Sequence, residues 1–139
     1  MKELSLLGNA TLCPAIALIR GTKILTGLRH YTPDKWKHIS VWTLPGGRSD
    51  DGETIEITLR REVAEEIGVT DFDISHFLGT VEGAKEGDIV YLFVGSTTQE
   101  PQNIEPEKFS EWAWMDINEI PENFINPKLL IMIKDFLQQ

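Results

Sequence analysis

The chain has 139 residues, 41% hydrophobic and 25% charged, with a formal net charge of −9. That length and balance fit one globular domain with its own core, and they exclude collagen-like, low-complexity and disordered chains. The acidity argues against non-specific binding of long nucleic acids or docking on an anionic membrane, since both rely on basic surface.

Met1 to Ala10 is mixed, with Lys2, Glu3 and Asn9, and lacks the apolar run of a signal peptide. No stretch approaches the length needed to span a bilayer. The single cysteine, Cys13, cannot form an internal disulfide and reads as a small core residue. These features predict a reduced, cytoplasmic protein.

Residues 12–19 read as a buried strand, Arg20-Gly21-Thr22-Lys23 as a turn, and Ile24 to Arg29 as the returning strand. Residues 30–40 are polar and irregular and predict a loop. Val41 to Leu44 is a short apolar segment stopped by Pro45-Gly46-Gly47. Residues 54–67 predict a helix: Ile55, Leu59, Val63 and Ile67 recur every four residues, and Gly68 supplies the stop. Residues 74–81 and 89–97 predict strands joined by a turn at 84–88. Residues 98–110 read as loop. Trp112, Trp114 and Met115 fit a further strand, and Pro127 opens a closing helix with Leu129, Leu130, Ile133, Phe136 and Leu137 on its apolar face. Strands interleaved with two helices predict an α/β sandwich with a mixed sheet.

Charge is unevenly spread. Residues 1–46 sum to +4, residues 47–69 to −4, 70–98 to −4, 99–122 to −6 and 123–139 to +1. Within the acidic helix, Glu62, Glu65 and Glu66 stand at i, i+3 and i+4, so their carboxylates crowd one face. Read alone, such a cluster is most simply a solvated acidic face partly neutralised by Arg60 and Arg61. It is equally a set of hard oxygen ligands suited to Mg²⁺ or Mn²⁺.

The surroundings decide between these readings. Leu44-Pro45-Gly46-Gly47 precedes the helix, Glu53 follows Gly47 by six residues, and Arg61-Glu62 and Glu65-Glu66-Ile67-Gly68-Val69 complete the run. This resembles the signature of the Nudix hydrolase superfamily, G-x5-E-x7-R-E-U-x-E-E-x-G-U, with U bulky and apolar. Gly47, Glu53, Arg61, Glu62, Glu65, Glu66 and Gly68 fill the fixed positions, and Val63 and Val69 the apolar ones.

The resemblance implies a Nudix fold over residues 1–139: an α/β/α sandwich around a mixed sheet, with a loop-helix-loop catalytic motif at 47–69. It implies Mg²⁺ or Mn²⁺ held by Glu62, Glu65, Glu66 and the Gly47 carbonyl, with Gly47 bending the chain toward the metal. Glu53 would pair with Arg61 to brace the motif. The activity implied is cleavage of a phosphoric anhydride, where positioning and electrostatics dominate. Glu65 and Glu66 are candidates for the general base. Some members take that acid from a distant loop, which points to Glu105 and Glu107.

Trp42 to Gly47 resembles the stretch that precedes this motif in MutT-like nucleoside triphosphate pyrophosphohydrolases. Arg29 matches a phosphate-contacting arginine there, and Leu44 lies at the site. Residues 101–108 and 111–114 resemble the branch acting on thiopurine triphosphates. The implied reaction releases a nucleoside monophosphate and pyrophosphate from a canonical or modified triphosphate. Alternatives are triphosphate-ended RNA and ADP-ribose or dinucleotides. A sensing module without catalysis is disfavoured by the complete set of glutamates. Asn123 and Asn126 fall where such enzymes read the base, although asparagine there equally serves turns and helix starts. Trp42, Trp112 and Trp114 can stack a base but more simply fill the core. His30, His38 and His76 receive no role. The partners expected are a small nucleotide, no long nucleic acid and no membrane, and the branch leaves a homodimer open.

Overall fold

In a computed structural model of the chain, residues 1–30 and 40–139 are described. Eight regular elements follow in order: β1 (Leu12–Arg20), β2 (Lys23–Arg29), β3 (Val41–Thr43), α1 (Ile55–Ile67), β4 (Asp73–Glu82), β5 (Ile89–Ser96), β6 (Phe109–Asp116) and α2 (Pro127–Leu137). Two short 3-10 turns, Lys2–Ser5 and Ile117–Glu119, were not legible in the sequence. The last strand starts at Phe109, inside the stretch expected to be loop. His38 and most of the loop expected at 30–40 lie outside the described residues.

The sheet runs β3-β2-β1-β5-β4, with β6 also on β2. β1 and β5 are parallel along seven register pairs, and the other pairings are antiparallel. β6 follows one edge of β2 from Lys23 to Arg29. On the opposite edge β1 pairs only at Lys23 and Ile24, and β3 only from Gly27 to Arg29. The sheet therefore forks where β2 exchanges one neighbour for another.

Side chains alternate across β1. Ile16 and Leu18 join the core under α1, with Ile55, Leu59, Val63 and Ile67 all fully buried. Ala17 joins the opposite core under α2, with Leu92, Val94, Leu129 and Ile133. The four-residue stripe read from the sequence is thus the buried face of α1. Truncating one of its leucines or isoleucines to alanine would cost about 2–5 kcal/mol. Thr54 caps the helix by accepting from the Ile57 N–H at 3.2 Å, and Gly68 ends it at φ +70°. Asn126 caps α2, followed by Pro127 at the first helical position.

Candidate active site

The segment from Pro45 to Ser49 lies along the edge of β1 left free by the fork. Ile16 N–H donates to the Pro45 carbonyl at 3.0 Å, Gly47 N–H to Pro14 at 3.1 Å and Ser49 N–H to Leu12 at 2.9 Å. These bonds set the loop beside the C-terminal half of α1. The chain bends at Gly46, at φ +146°, where a Cβ would sit 2.7 Å from Ala15 Cα. The bend expected at Gly47 is therefore one residue early. Gly47 lacks a side chain for a different reason: a Cβ there would strike the Glu62 carboxylate.

Glu66 is 5% exposed, and its Oε1 accepts the Gly46 N–H at 2.9 Å. Burial pushes this carboxyl well above the usual range; Glu62 and Glu105 add to the effect, while the Gly46 bond and Arg29 oppose it. Glu62 is also raised, mainly by burial, against the pull of Arg61. Two adjoining carboxylates short of compensating positive charge suit a divalent cation. Glu65 shares Arg61 Nη1 with Glu62. It is half exposed, with both oxygens 3.3 Å from Arg61 Nη1. Among the described residues, no three His, Cys, Asp or Glu side chains form a ready-made metal cluster. The chemistry of Glu62 and Glu66 fits a hard cation, and Glu65 is one ion pair away from joining them.

Arg61 is the hub of the motif. It donates to Glu53 through Nε at 2.7 Å and Nη2 at 2.9 Å, to Glu62 at 3.0 Å, and to the Arg48 carbonyl at 3.3 Å. Glu53 also accepts from the Asp50 N–H and from Thr58 Oγ1. Its carboxyl is held down at about 2, chiefly by Arg61. Thr58 in turn bonds Ser49 Oγ at 2.9 Å. The N-terminal segment lies across this network: Gly8 N–H donates to the Glu53 carbonyl at 2.7 Å and Ile55 N–H to Leu6 at 2.8 Å. A Cβ at Gly8 would collide with Ser49.

A cleft of about 380 Å³ opens at the fork, large enough for a nucleotide. Glu62, Glu66, Gly47, Arg29, Leu44 and Asn126 all line it. Arg29 Nε is buried without a hydrogen-bond partner among the described residues. Asn126 has less freedom than a base-reading role needs, since Nδ2 donates to Glu82 at 2.8 Å and Oδ1 caps Lys128. One amide proton and one lone pair remain. Asn123 instead donates to the Ser40 carbonyl, tying the last loop to the start of β3.

Several candidates lie elsewhere. Glu107 is exposed and outside the cleft lining: Lys108 and Phe109 both donate to the Glu105 carbonyl, and this turn points its tip to solvent. Glu105 is the acid of that segment that reaches Glu66 electrostatically, and it binds Lys108 at 3.2 Å. Trp112 and Trp114 pack under α1, and Trp42 fills the α2-side core, so none lines the cleft. His76 stacks edge-on with Phe136, and His30 Nδ1 lies 3.4 Å from Ser40 Oγ. Cys13 does line the cleft, with its thiol pushed up to about 11 by burial, which makes it unreactive.

Sequence reasoning missed Lys85, Lys108 and the Arg48–Asp88 pair, all on the cleft wall. Nothing in the local pattern marks them; only the tertiary fold brings them to the site.

The NUDIX-domain family profile matches residues 13–136, and the chain belongs to the Nudix family of hydrolases. A Bacillus subtilis (strain 168) protein named "Putative 8-oxo-dGTP diphosphatase" is 32% identical over 102 residues, covering 73% of this chain and 67% of that protein. An "RNA pyrophosphohydrolase" of Caulobacter vibrioides (strain NA1000 / CB15N) is 31% identical over 104 residues, covering 58% of this chain and 59% of its own length. The fold matches a MutT NUDIX hydrolase from Burkholderia pseudomallei with TM-score 0.71, at 23% identity and with 89% and 95% of the two chains covered. A C. elegans Ap4A hydrolase matches with TM-score 0.72, at 18% identity and with 91% and 96% covered. No described helix is long and apolar enough to cross a membrane.

Proposed function

We propose that the chain, as one catalytic domain, hydrolyses a nucleoside triphosphate to the monophosphate and pyrophosphate with a divalent metal, Mg²⁺ or Mn²⁺. The observation that carries this reading is the buried Glu66, fixed by the Gly46 N–H beside Glu62, in a cleft that also presents Arg29, Lys85 and Lys108. Acids at the centre suit a cation, and cations around them suit a chain of phosphates.

Glu62, Glu66 and the Gly47 carbonyl would hold the metal, with Glu65 joining after release from Arg61. When bound, the metal supplies charge neutralisation at the phosphate oxygens and a more acidic water. Arg29, on the cleft lining, binds phosphate through its guanidinium. The Glu53–Arg61 pair holds α1 against the Gly47 loop. Glu66 and Glu62 are the candidates to take the proton from the attacking water; Glu107 is exposed and does not line the cleft. Leu44, buried in the wall, limits where the base can lie.

One relative is named as a putative 8-oxo-dGTP diphosphatase, after a nucleoside triphosphate, and others as RNA pyrophosphohydrolase, after RNA. A 5′-triphosphate on RNA is therefore the second reading, favoured by those relatives and opposed by the net charge of −9.

A panel of canonical and oxidised nucleoside triphosphates, ADP-ribose, dinucleotides and triphosphorylated RNA, assayed with Mg²⁺, tests the reading. Pyrophosphate released from free triphosphates at higher kcat/KM than from RNA is expected. Turnover of ADP-ribose alone would overturn it. Arg29→Ala should raise KM for triphosphates more than it lowers kcat; an unchanged KM removes the phosphate role.

A further inference from the structure

The wall of the cleft opposite Arg29 and Lys108 is the turn between β4 and β5. Four of its residues, Gly83, Ala84, Lys85 and Asp88, line the cleft. The turn is closed on itself: Gly83 N–H donates to the Asp88 carbonyl at 2.8 Å, and Asp88 N–H to the Lys85 carbonyl at 3.1 Å. A Cβ at Gly83 would lie 2.8 Å from Asp88 Cβ, so the two limbs touch. Lys85 is exposed and lines the cleft.

The turn is fastened to the catalytic loop at one point. Asp88, 7% exposed, receives Arg48 Nη1 on Oδ1 and Nη2 on Oδ2, both at 2.6 Å. This bidentate pair spends both carboxylate oxygens on one guanidinium. Arg48 Nη1 also donates to the Ala10 carbonyl at 2.6 Å, and the Arg48 carbonyl accepts from Arg61. Arg48 directly follows Gly47, against which the Glu62 carboxylate packs. One side chain thus joins the cleft wall to the loop and, through Arg61, to the acidic helix. Asp88 is buried while the Arg48 side chain is 42% exposed, so the pair adds little to stability, but its two-point fork fixes geometry.

We infer that Arg48–Asp88 is a positioning pair that holds the 83–88 turn so that Lys85 meets the phosphate chain from the side opposite Arg29 and Lys108. The inference rests on the triphosphate reading above. It assigns Lys85 as a substrate contact, and assigns Asp88 a role that acts only through Lys85's placement.

The test measures KM and kcat for the preferred triphosphate, and calorimetric binding of inorganic tripolyphosphate with Mg²⁺, in wild type, Lys85→Ala, Asp88→Asn, Arg48→Lys and Lys85→Ala/Asp88→Asn. Lys85→Ala should raise KM and weaken tripolyphosphate binding roughly tenfold, with a smaller change in kcat. Asp88→Asn should reproduce that pattern, and the double variant should be little worse than either single one. Arg48→Lys keeps the charge, loses the fork, and should fall in the same direction. It keeps the test alive if Asp88→Asn does not fold. An unmoved KM and binding in Lys85→Ala overturns the proposal, as does additivity in the double variant. Failure of the triphosphate reading appears differently: wild type then binds tripolyphosphate in a Lys85-dependent way but turns over no nucleoside triphosphate. Wild type that does not bind tripolyphosphate at all overturns both.

Discussion

Each of the two glycines before the acidic helix does a separate job. Gly46 turns the chain and offers its N–H to Glu66; Gly47 makes room for Glu62. A signature that fixes Gly47 does not reveal that distinction, because the bend and the clearance come from contacts with β1 and α1. Gly47→Ala should displace the Glu62 carboxylate and lower kcat roughly 100-fold or more, while circular dichroism keeps the wild-type shape. Retained activity would show that Glu62 can work from another position. Glu66→Gln keeps the Gly46 hydrogen bond but removes the charge. Activity should fall by roughly 100-fold. The rise in melting temperature that Mg²⁺ gives the wild type should also vanish, since a ligand stabilises only the state that binds it. An equal Mg²⁺-dependent shift in both proteins would remove Glu66 from the metal set. At this scale the sequence was informative where chemistry is written into a motif, as for Glu53 and Arg61. It was silent on Lys108 and Asp88, which reach the cleft by tertiary contact.

At the level of elements, the four-residue stripe of α1 and its stop at Gly68 were readable, while residue 54, read as the first helical position, is the Thr54 cap. Strands β1, β2 and β5 announce themselves by apolar runs. β6 began earlier than expected because Phe109 is held by pairing with Arg29, a long-range contact no local pattern shows. The acidic stretch 99–122 also finds structural work. Gln102 and Ile104 N–H groups donate to the Ile67 and Glu66 carbonyls at 2.9 and 3.2 Å, completing the C-terminus of α1. Glu100 meets Arg20 at 3.0 Å.

The Glu53–Arg61 pair joins the loop to the helix, and its contribution depends on pH. Glu53 titrates near 2 when folded and near its ordinary value of 4.5 when unfolded. The stabilisation it provides is therefore complete above about pH 4.5 and disappears as pH falls toward 2. Glu53→Gln should cost about 2 kcal/mol at pH 7. The gap between the two proteins should narrow steadily below about pH 4.5 and close only below about pH 2, as read from urea midpoints. Glu62 and Glu66 titrate in the opposite sense in both proteins, so the difference isolates Glu53. A gap that stays constant with pH would show that the pair contributes packing rather than charge.

For the whole molecule, the net charge of −9 hides a cleft with acids in the middle and cations on its walls. Under the proposed function, Arg29, Lys85 and Lys108 on the cleft lining would attract a small polyanion, while the net negative charge would repel a large one. KM for a triphosphate should rise severalfold from low to high salt, because exposed charges are screened within about 10 Å at 0.1 M ionic strength. A kcat that falls in parallel would place the salt effect on the acids rather than on the walls.

The N-terminal segment extends the functional motif backward in sequence. Leu6 and Gly8 are bonded to Ile55 and Glu53, about 45 positions later, and Gly8 is pressed against Ser49. Residues that look like a dispensable leader are thus a strap over the brace that orients Arg61. A shortened start or a bulky fusion at this point should disturb the Glu53–Arg61 brace and, through it, the acidic face of α1. For anyone handling the protein, a purification tag belongs after α2 rather than before Leu6.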